Sequence, residues 1–298
     1  MKRMSFALLL AFLLPFLSSA SEKEDAKIPR EYTFTIYPGT AKYFTMEQAN
    51  EGYMSLSRMV NRGLDYALGD VKLFNVLPVS DIFKAVLPYF TAPVTHEEGH
   101  RAILTAQDIG AVSMPFSFFN PYGMSRVKGV ADESLMELRR DDFSSFIRLY
   151  TAGIESDYMM ARHGERLAAF GRDSVSVLYP DFFMREFGVF QYLFEGVLEK
   201  AGWGPGEFEK EEADEKKRDV TGMDTIGAVH FLFYPDAAYK RYVRWDDLDK
   251  DEKNFLVYRL GIRSFLNFVN PLVAGVPSFH IGEDMSITGS LGYCLAPF

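Results

Sequence analysis

Thr95-His96-Glu97-Glu98-Gly99-His100-Arg101 is the stretch that decides how this chain of 298 residues is read. On a helix, positions four apart lie one above the other on the same face. His96 and His100 then present both imidazoles to one point, and two neutral ring nitrogens about 2.0–2.1 Å from a cation form half of a tetrahedral zinc shell. Glu97 stands beside the first of them, placed to take a proton from a water that the cation activates. Pro93 suits the first turn of such a helix, with Thr91 or Thr95 as its cap. Gly99 inside a helix costs about 1 kcal/mol relative to alanine, which predicts that another backbone or a substrate comes close there. The rival reading is an exposed helical turn carrying two unrelated histidines. The chain has only five histidines, and two of them fall in this motif.

Working outward, residues 72–95 are apolar but carry Asp81, Lys84, Pro78, Pro88 and Pro93. A spanning helix wants about twenty consecutive apolar residues, so this segment reads as two short buried or interfacial helices leading into the site helix. Peripheral membrane contact stays open. Upstream, 31–37 alternates as a strand, and 46–68 reads as a helix whose Met54, Leu56, Met59, Val60 and Leu64 form a core stripe. Downstream, 110–130 is broken by Pro115, Asn120-Pro121 and Gly123 into loops, with extended pieces at 111–114 and 125–130. Residues 141–170 form a second long helix with Phe143, Phe146, Ile147, Tyr150, Ile154 and Tyr158 on its apolar face. Asp141 and Asp142 stand at its start, where the helix dipole favours them. Ala152 and Gly153 let this helix approach the His96 helix closely, so that a carboxylate one turn on can complete a metal shell. Glu155 and Asp157 compete for that place, against the alternative that both are ordinary helix charges.

The pair formed by His96-Glu97-Glu98-Gly99-His100 and, about 55 residues on, the helical Gly153-Ile154-Glu155 resembles the zincin metallopeptidases of the gluzincin kind. That resemblance covers roughly residues 93–170. It implies a zincin-like helical core with two metal-ligand helices, Zn2+ held by His96, His100 and Glu155, and Glu97 as general base. Ala106 stands where the extended metzincin motif needs a third histidine, which excludes that branch. Met159 replaces the aspartate that some relatives carry four residues after the ligand glutamate, and Asp157 remains a rival ligand on the stripe with Tyr150, Gly153 and Ala161. Tyr158, His163 and His230 are candidate oxyanion donors, although a structural role suits both histidines better. An extended segment near 111–130 is a candidate for binding a peptide substrate as an added strand. Glu98 and Arg101 point away from the site.

The chain begins with Lys2 and Arg3, an apolar run from Phe6 to Leu17 and then Ser18-Ser19-Ala20, the parts of a secretory signal peptide over 1–20. Removing it takes the formal charge from -9 to -11, because Lys2 and Arg3 leave with it. So acidic a chain is a poor nucleic-acid binder. Cys294 is the only cysteine, so no intrachain disulfide forms even in an oxidising compartment. The 27 Phe and 16 Tyr suit a large core, a greasy cleft or a membrane surface. They are dense over 181–201, read as a helix.

The expected organisation is a peptidase domain over 21–203, a charged loop over 204–221 and a C-terminal region over 222–298 packed on the same domain. In that last part 225–234 is apolar, 246–263 is a helix, 264–276 is an apolar helix broken at Pro271, and 280–298 suggests strands. The fold class is mainly α with minor β. The expected function is an exported zinc metallopeptidase of the periplasm or cell envelope, acting on a peptide or protein. The alternative is a non-catalytic envelope-binding or membrane-associated assembly protein that retains a metal site.

Overall fold

A computed structural model describes residues 31–35, 45–73, 77–114, 126–203, 214–276, 278–281 and 285–295. The expected signal peptide over 1–20 and much of the charged loop lie outside the described residues. The architecture is mainly helical, with three two-stranded antiparallel hairpins among the described residues.

Helix α1 (Met46–Leu68) is capped by the Thr45 side chain, which accepts from Gln48 N. A small hairpin, β1 (Lys72–Leu73) with β2 (Leu77–Pro78), leads into α2 (Val79–Ala106), which carries the histidine motif. Strand β3 (Val112–Met114) pairs with β4 (Arg126–Lys128), as the extended pieces at 111–114 and 125–130 suggest. Helices α3 (Asp132–Asp141), α4 (Phe143–Ala169), α5 (Val175–Lys200) and α6 (Asp224–Phe233) follow. The single helix expected over 141–170 therefore begins at Phe143. Asp142 divides it from α3, and the Asp142 carboxylate caps α4 by accepting from Ser145 N. Helix α7 (Lys250–Asn254) continues as a π-helical turn, Phe255–Gly261, and two 3-10 segments, Arg263–Val269 and Pro271–Ala274. Strands β5 (Phe279–Ile281) and β6 (Met285–Ile287) form the last hairpin.

Helix α2 is one continuous helix where two short ones and a fresh start near Pro93 were expected. Pro88 and Pro93 lie in its interior, and neither Thr91 nor Thr95 caps it. Side-chain donors bond to carbonyls around the prolines: the Thr91 hydroxyl donates to Leu87 O, and both the Thr95 hydroxyl and Arg185 Nη1 donate to Ala92 O. A mid-helix proline is tolerated where such partners and tertiary packing hold the turn.

Residues 31–35, expected as part of a strand, pair with no strand among the described residues. They run along α1, with Thr33 N donating to Ser55 Oγ and Ser55 Oγ donating to Thr33 O. The apolar stripe of α1 also departs from expectation. Met54 is buried, but Leu56, Met59 and Val60 are exposed, and the buried face is Gln48, Asn50, Ser55, Ser57, Arg58 and Asn61. That face can be polar because it finds partners: Ser156 Oγ donates to Asn50 Oδ1, Asn61 Nδ2 to Val177 O and Arg58 Nε to Asp173 Oδ2.

The larger core joins the end of α2 (Ala102, Ile103, Leu104) to Phe146, Leu149 and Tyr150 of α4 and to Ile226 and Val229 of α6. A second cluster gathers Met54 of α1, Ala85 of α2, Met160 of α4, Phe182 of α5 and Leu272. The site lies where α2, α4 and α6 meet.

Candidate metal centre

Two glycines set the crossing of α2 and α4. A Cβ on Gly99 would lie 2.5 Å from Ala152 O, and a Cβ on Gly153 would fall on His96 Nε2 and would lie 2.5 Å from His100 Nε2. The backbone of α4 thus passes directly against the two imidazoles, the close approach that Gly99 implied. One turn before Gly153 on the same face of α4, the Tyr150 ring packs against Gly227 of α6 where a side chain would collide, which draws α6 in.

That approach brings Asp224, the first residue of α6, to the histidines. Its Oδ2 lies 3.1 Å from His96 Nε2 and 3.3 Å from His100 Nε2. Ligand atoms about 2.1 Å from a tetrahedral cation sit about 3.4 Å apart, so the spacing fits a shared ion. His96, His100 and Asp224 are all buried, and they form the one group of three or more potential ligands found among the described residues.

The tautomers follow from the outer partners. His100 Nδ1 lies 2.6 Å from Leu149 O, which can only accept, so this nitrogen carries the proton and Nε2 is left with a lone pair. His96 Nδ1 lies 2.8 Å from Asp157 Oδ2, and Asp157 Oδ1 accepts from Arg185 Nη1 at 2.6 Å. An ionised Asp157 takes the His96 proton the same way. Three acceptors then face one another, an arrangement that requires positive charge between them. Burial alone would lower the His96 and His100 pKa values. Asp157 and Asp224 raise His96 well above its ordinary value, and Asp224 is the main cause of the rise in His100 to about 8. Burial would likewise raise Asp224, but the two imidazoles hold it well below the usual carboxylate range. The negative field of the two carboxylates that holds protons on the imidazoles has the sign that a cation at the same place needs. The donor set, two imidazole nitrogens and one carboxylate with both imidazoles oriented from behind, fits zinc.

Around this group the chain is tightly organised. Tyr192 of α5 stacks on His96 with centroids 4.5 Å apart and planes at 13°. Arg185 is fully buried, also sits 3.6 Å from Asp181, and lies over the Tyr53 ring. Tyr53 OH donates to Asp181 Oδ1 at 2.9 Å. Glu97 is partly buried, and burial pushes its carboxyl up to about 7 against the opposing pull of His96 and His100. Asp219 and Asp224 add to that rise. Asp219 is itself pinned by Val127 N of β4 and by Gly222 N.

Glu155 is not brought to this group. Its carboxylate makes a two-point ion pair with Arg148, at 2.9 and 2.6 Å. Two residues beyond Gly153 is about 200° around the helix, so Glu155 points away, whereas Asp157, one turn on, returns to the histidine side. Asp157 meets His96 at Nδ1, behind the ligand nitrogen. Among the oxyanion candidates, the Tyr158 ring lies under Arg162, and His230 Nδ1 is 2.8 Å from Glu252 Oε1. His163 is lowered first by burial and then by Arg166. Glu98 pairs with Arg101 at 2.6 Å, off the site as expected. The sequence reading missed Asp224, Asp219, Tyr192 and Arg185. A signal for Asp224 was present: it is the carboxylate that opens the apolar run 225–234.

Comparison of the chain with protein-family models, with curated proteins and with solved structures found no match.

Proposed function

We propose that the chain is an exported, zinc-dependent peptidase of the zincin type, with His96, His100 and Asp224 as the metal ligands. The observation that carries this reading is the convergence of two imidazole Nε2 atoms and Asp224 Oδ2 at 3.1 and 3.3 Å with both Nδ1 atoms tied behind. Asp224 takes the place that the gluzincin resemblance assigned to Glu155. Export to the periplasm or cell envelope rests on the signal-like residues 1–20 alone.

A zinc ion at these ligands supplies Lewis acidity for polarising a carbonyl and acidifying a water. Glu97 is the general base. It would accept a proton from the attacking water and return it to the leaving amine, and the burial that raises its carboxyl above the usual range favours that exchange. Tyr192 stacks on His96, and burial first, then Asp224 and Glu97, raise its phenol pKa and keep its proton on, so we assign it by its place beside His96 as the donor to the developing oxyanion. Strand β3, whose Val112 and Met114 are exposed, is the edge along which an extended peptide would lie.

The test is hydrolysis of a fluorogenic peptide library by the zinc-loaded protein beside Glu97→Gln. Zinc-dependent cleavage, lost at least a hundredfold in Glu97→Gln while zinc stays bound, supports the reading. Cleavage unchanged by Glu97→Gln contradicts it.

A further inference from the structure

Four parts of the fold turn their polar side chains inward and their apolar ones outward. On α1 the outward positions from Leu56 to Ala67 are Leu56, Met59, Val60, Gly63, Tyr66 and Ala67, with no charge over three turns, while Arg58 and Asn61 are buried. On the first half of α2 the outward residues are Phe83, Val86, Tyr89 and Val94, whereas Lys84 is 1% exposed and bonded inward to Asp65 and Asp81 at 2.7 Å. In the 3-10 segment Arg263–Val269, Phe265, Leu266 and Val269 face out, with the exposed Arg263 at its start. Ser264 and Asn267 face in, and Asn267 exchanges hydrogen bonds with Tyr293. Helix α5 buries Asp181, Arg185 and Glu186. Its Phe183, Phe187, Phe190 and Phe194 are half-exposed.

The exposed faces of the first three share one end of the molecule. Helices α1 and α2 run antiparallel, since Tyr53 OH meets Thr91 Oγ1 and Asp65 meets Lys84, which sets Leu56 beside Tyr89 and Val60 beside Val86. Leu272, just past the 3-10 segment, packs in the same cluster as Met54 of α1 and Ala85 of α2.

Exposed apolar residues scattered singly are normal in water, but contiguous ones facing away from buried charges are not. The order matches an apolar surrounding, in which polar groups must be satisfied from within. No helix among the described residues is long and apolar enough to cross a membrane. The rim has the chemistry of a headgroup layer: Phe170 is largely exposed between the exposed Arg166 and Arg172, at the turn where Asp173 anchors Arg58 and Arg62 of α1. Arginines and aromatics are the residues that anchor a protein at an anionic lipid surface.

We propose that this end of the molecule seats in one leaflet of a lipid bilayer, with the 56–67 face of α1, the 83–94 face of α2 and residues 265–269 in the apolar layer and Arg166, Arg172 and Arg263 at anionic headgroups. Val94 closes the apolar face of α2, about 200° around the helix from the buried His96, so the metal ligands face away from the seat. The inference does not rest on the peptidase reading.

Flotation of the full chain with phosphatidylcholine vesicles, with and without a fraction of phosphatidylglycerol, tests it. The wild type is expected to float with both and to bind the anionic vesicles several-fold more tightly. The triple variant L56Q/V60Q/V86Q should lose at least tenfold in vesicle binding, whereas Met136→Gln, an exposed apolar residue on α3, should bind as the wild type does. The double variant R166Q/R172Q should keep flotation and lose the preference for phosphatidylglycerol. Circular dichroism and thermal melting check that each variant is folded, and because every change is at an exposed position, folding should be retained. A wild type that stays out of both vesicle fractions overturns the proposal, as does a folded triple variant that floats unchanged. A wild type that avoids vesicles but forms a dimer dispersed by the triple variant also overturns it, since the face would then belong to a second copy.

Discussion

Asp157 accepts the His96 Nδ1 proton at 2.8 Å with one carboxylate oxygen and the Arg185 guanidinium at 2.6 Å with the other. The pair fixes the imidazole plane and leaves Nε2 free for the ligand position. Asp157→Asn removes the charge that holds this tautomer, and partners behind a metal-bound histidine are typically worth 10–100-fold in metal affinity. The variant is expected to weaken zinc binding by that factor in a competitive chelator titration. Zinc affinity equal to that of the wild type would contradict the role given to Asp157.

Gly153→Ala places a methyl group on His96 Nε2 and His100 Nε2. Backbone and imidazoles would both have to move, and overpacking of this kind costs about 1–3 kcal/mol. The expected result is a folded protein with a lower melting temperature and zinc content near zero. Retention of stoichiometric zinc would mean that the helix crossing is looser than described. Gly99→Ala, which meets the Ala152 carbonyl, should destabilise in the same way through the backbone.

These two glycines also show how far the sequence carried the fold. Gly99 inside the motif, and Ala152-Gly153 on a later helix, announced that two helices touch at the histidines, and they do. The third ligand was not legible in the same way. Choosing Glu155 required knowing which face of α4 meets the site, and two residues, about 200° of rotation, separate an ion pair with Arg148 from a contact with His96. Asp224 lies about 125 residues from the motif and reaches it only through tertiary packing, helped by the fit of Tyr150 against Gly227. The polar interior of α1 was invisible for a related reason. Periodicity marks an apolar face, but which medium that face meets is decided by the partners its polar face finds elsewhere.

The partly buried Glu195 titrates abnormally. Burial raises its carboxyl to about 8, with Asp224 adding to the shift and the Thr225 hydroxyl opposing it. The Thr225 hydroxyl has one proton and two neighbouring acceptors, Glu195 Oε2 at 2.8 Å and Tyr192 O at 3.1 Å, which a protonated Glu195 relieves. A carboxyl whose pKa is higher folded than unfolded contributes stability that is full below the unfolded value, 4.5, and is lost as pH rises through about 8. Denaturant unfolding should therefore show stability falling between those values, by at most about 1.4 kcal/mol per pH unit from this group. Glu195→Gln should flatten that part of the profile. An unchanged profile in the variant would refute the assignment.

The most direct test of the account is the zinc content of the purified protein beside Asp224→Ala, Glu155→Ala and His96→Ala. The arrangement of His96, His100 and Asp224 predicts about one zinc per chain in the wild type and in Glu155→Ala, and none in Asp224→Ala or His96→Ala. Glu155→Ala should also melt within a few degrees of the wild type, because a surface ion pair is worth about 0–1 kcal/mol. Zinc lost in Glu155→Ala but kept in Asp224→Ala, or absent from the wild type after zinc is supplied, would contradict the site described.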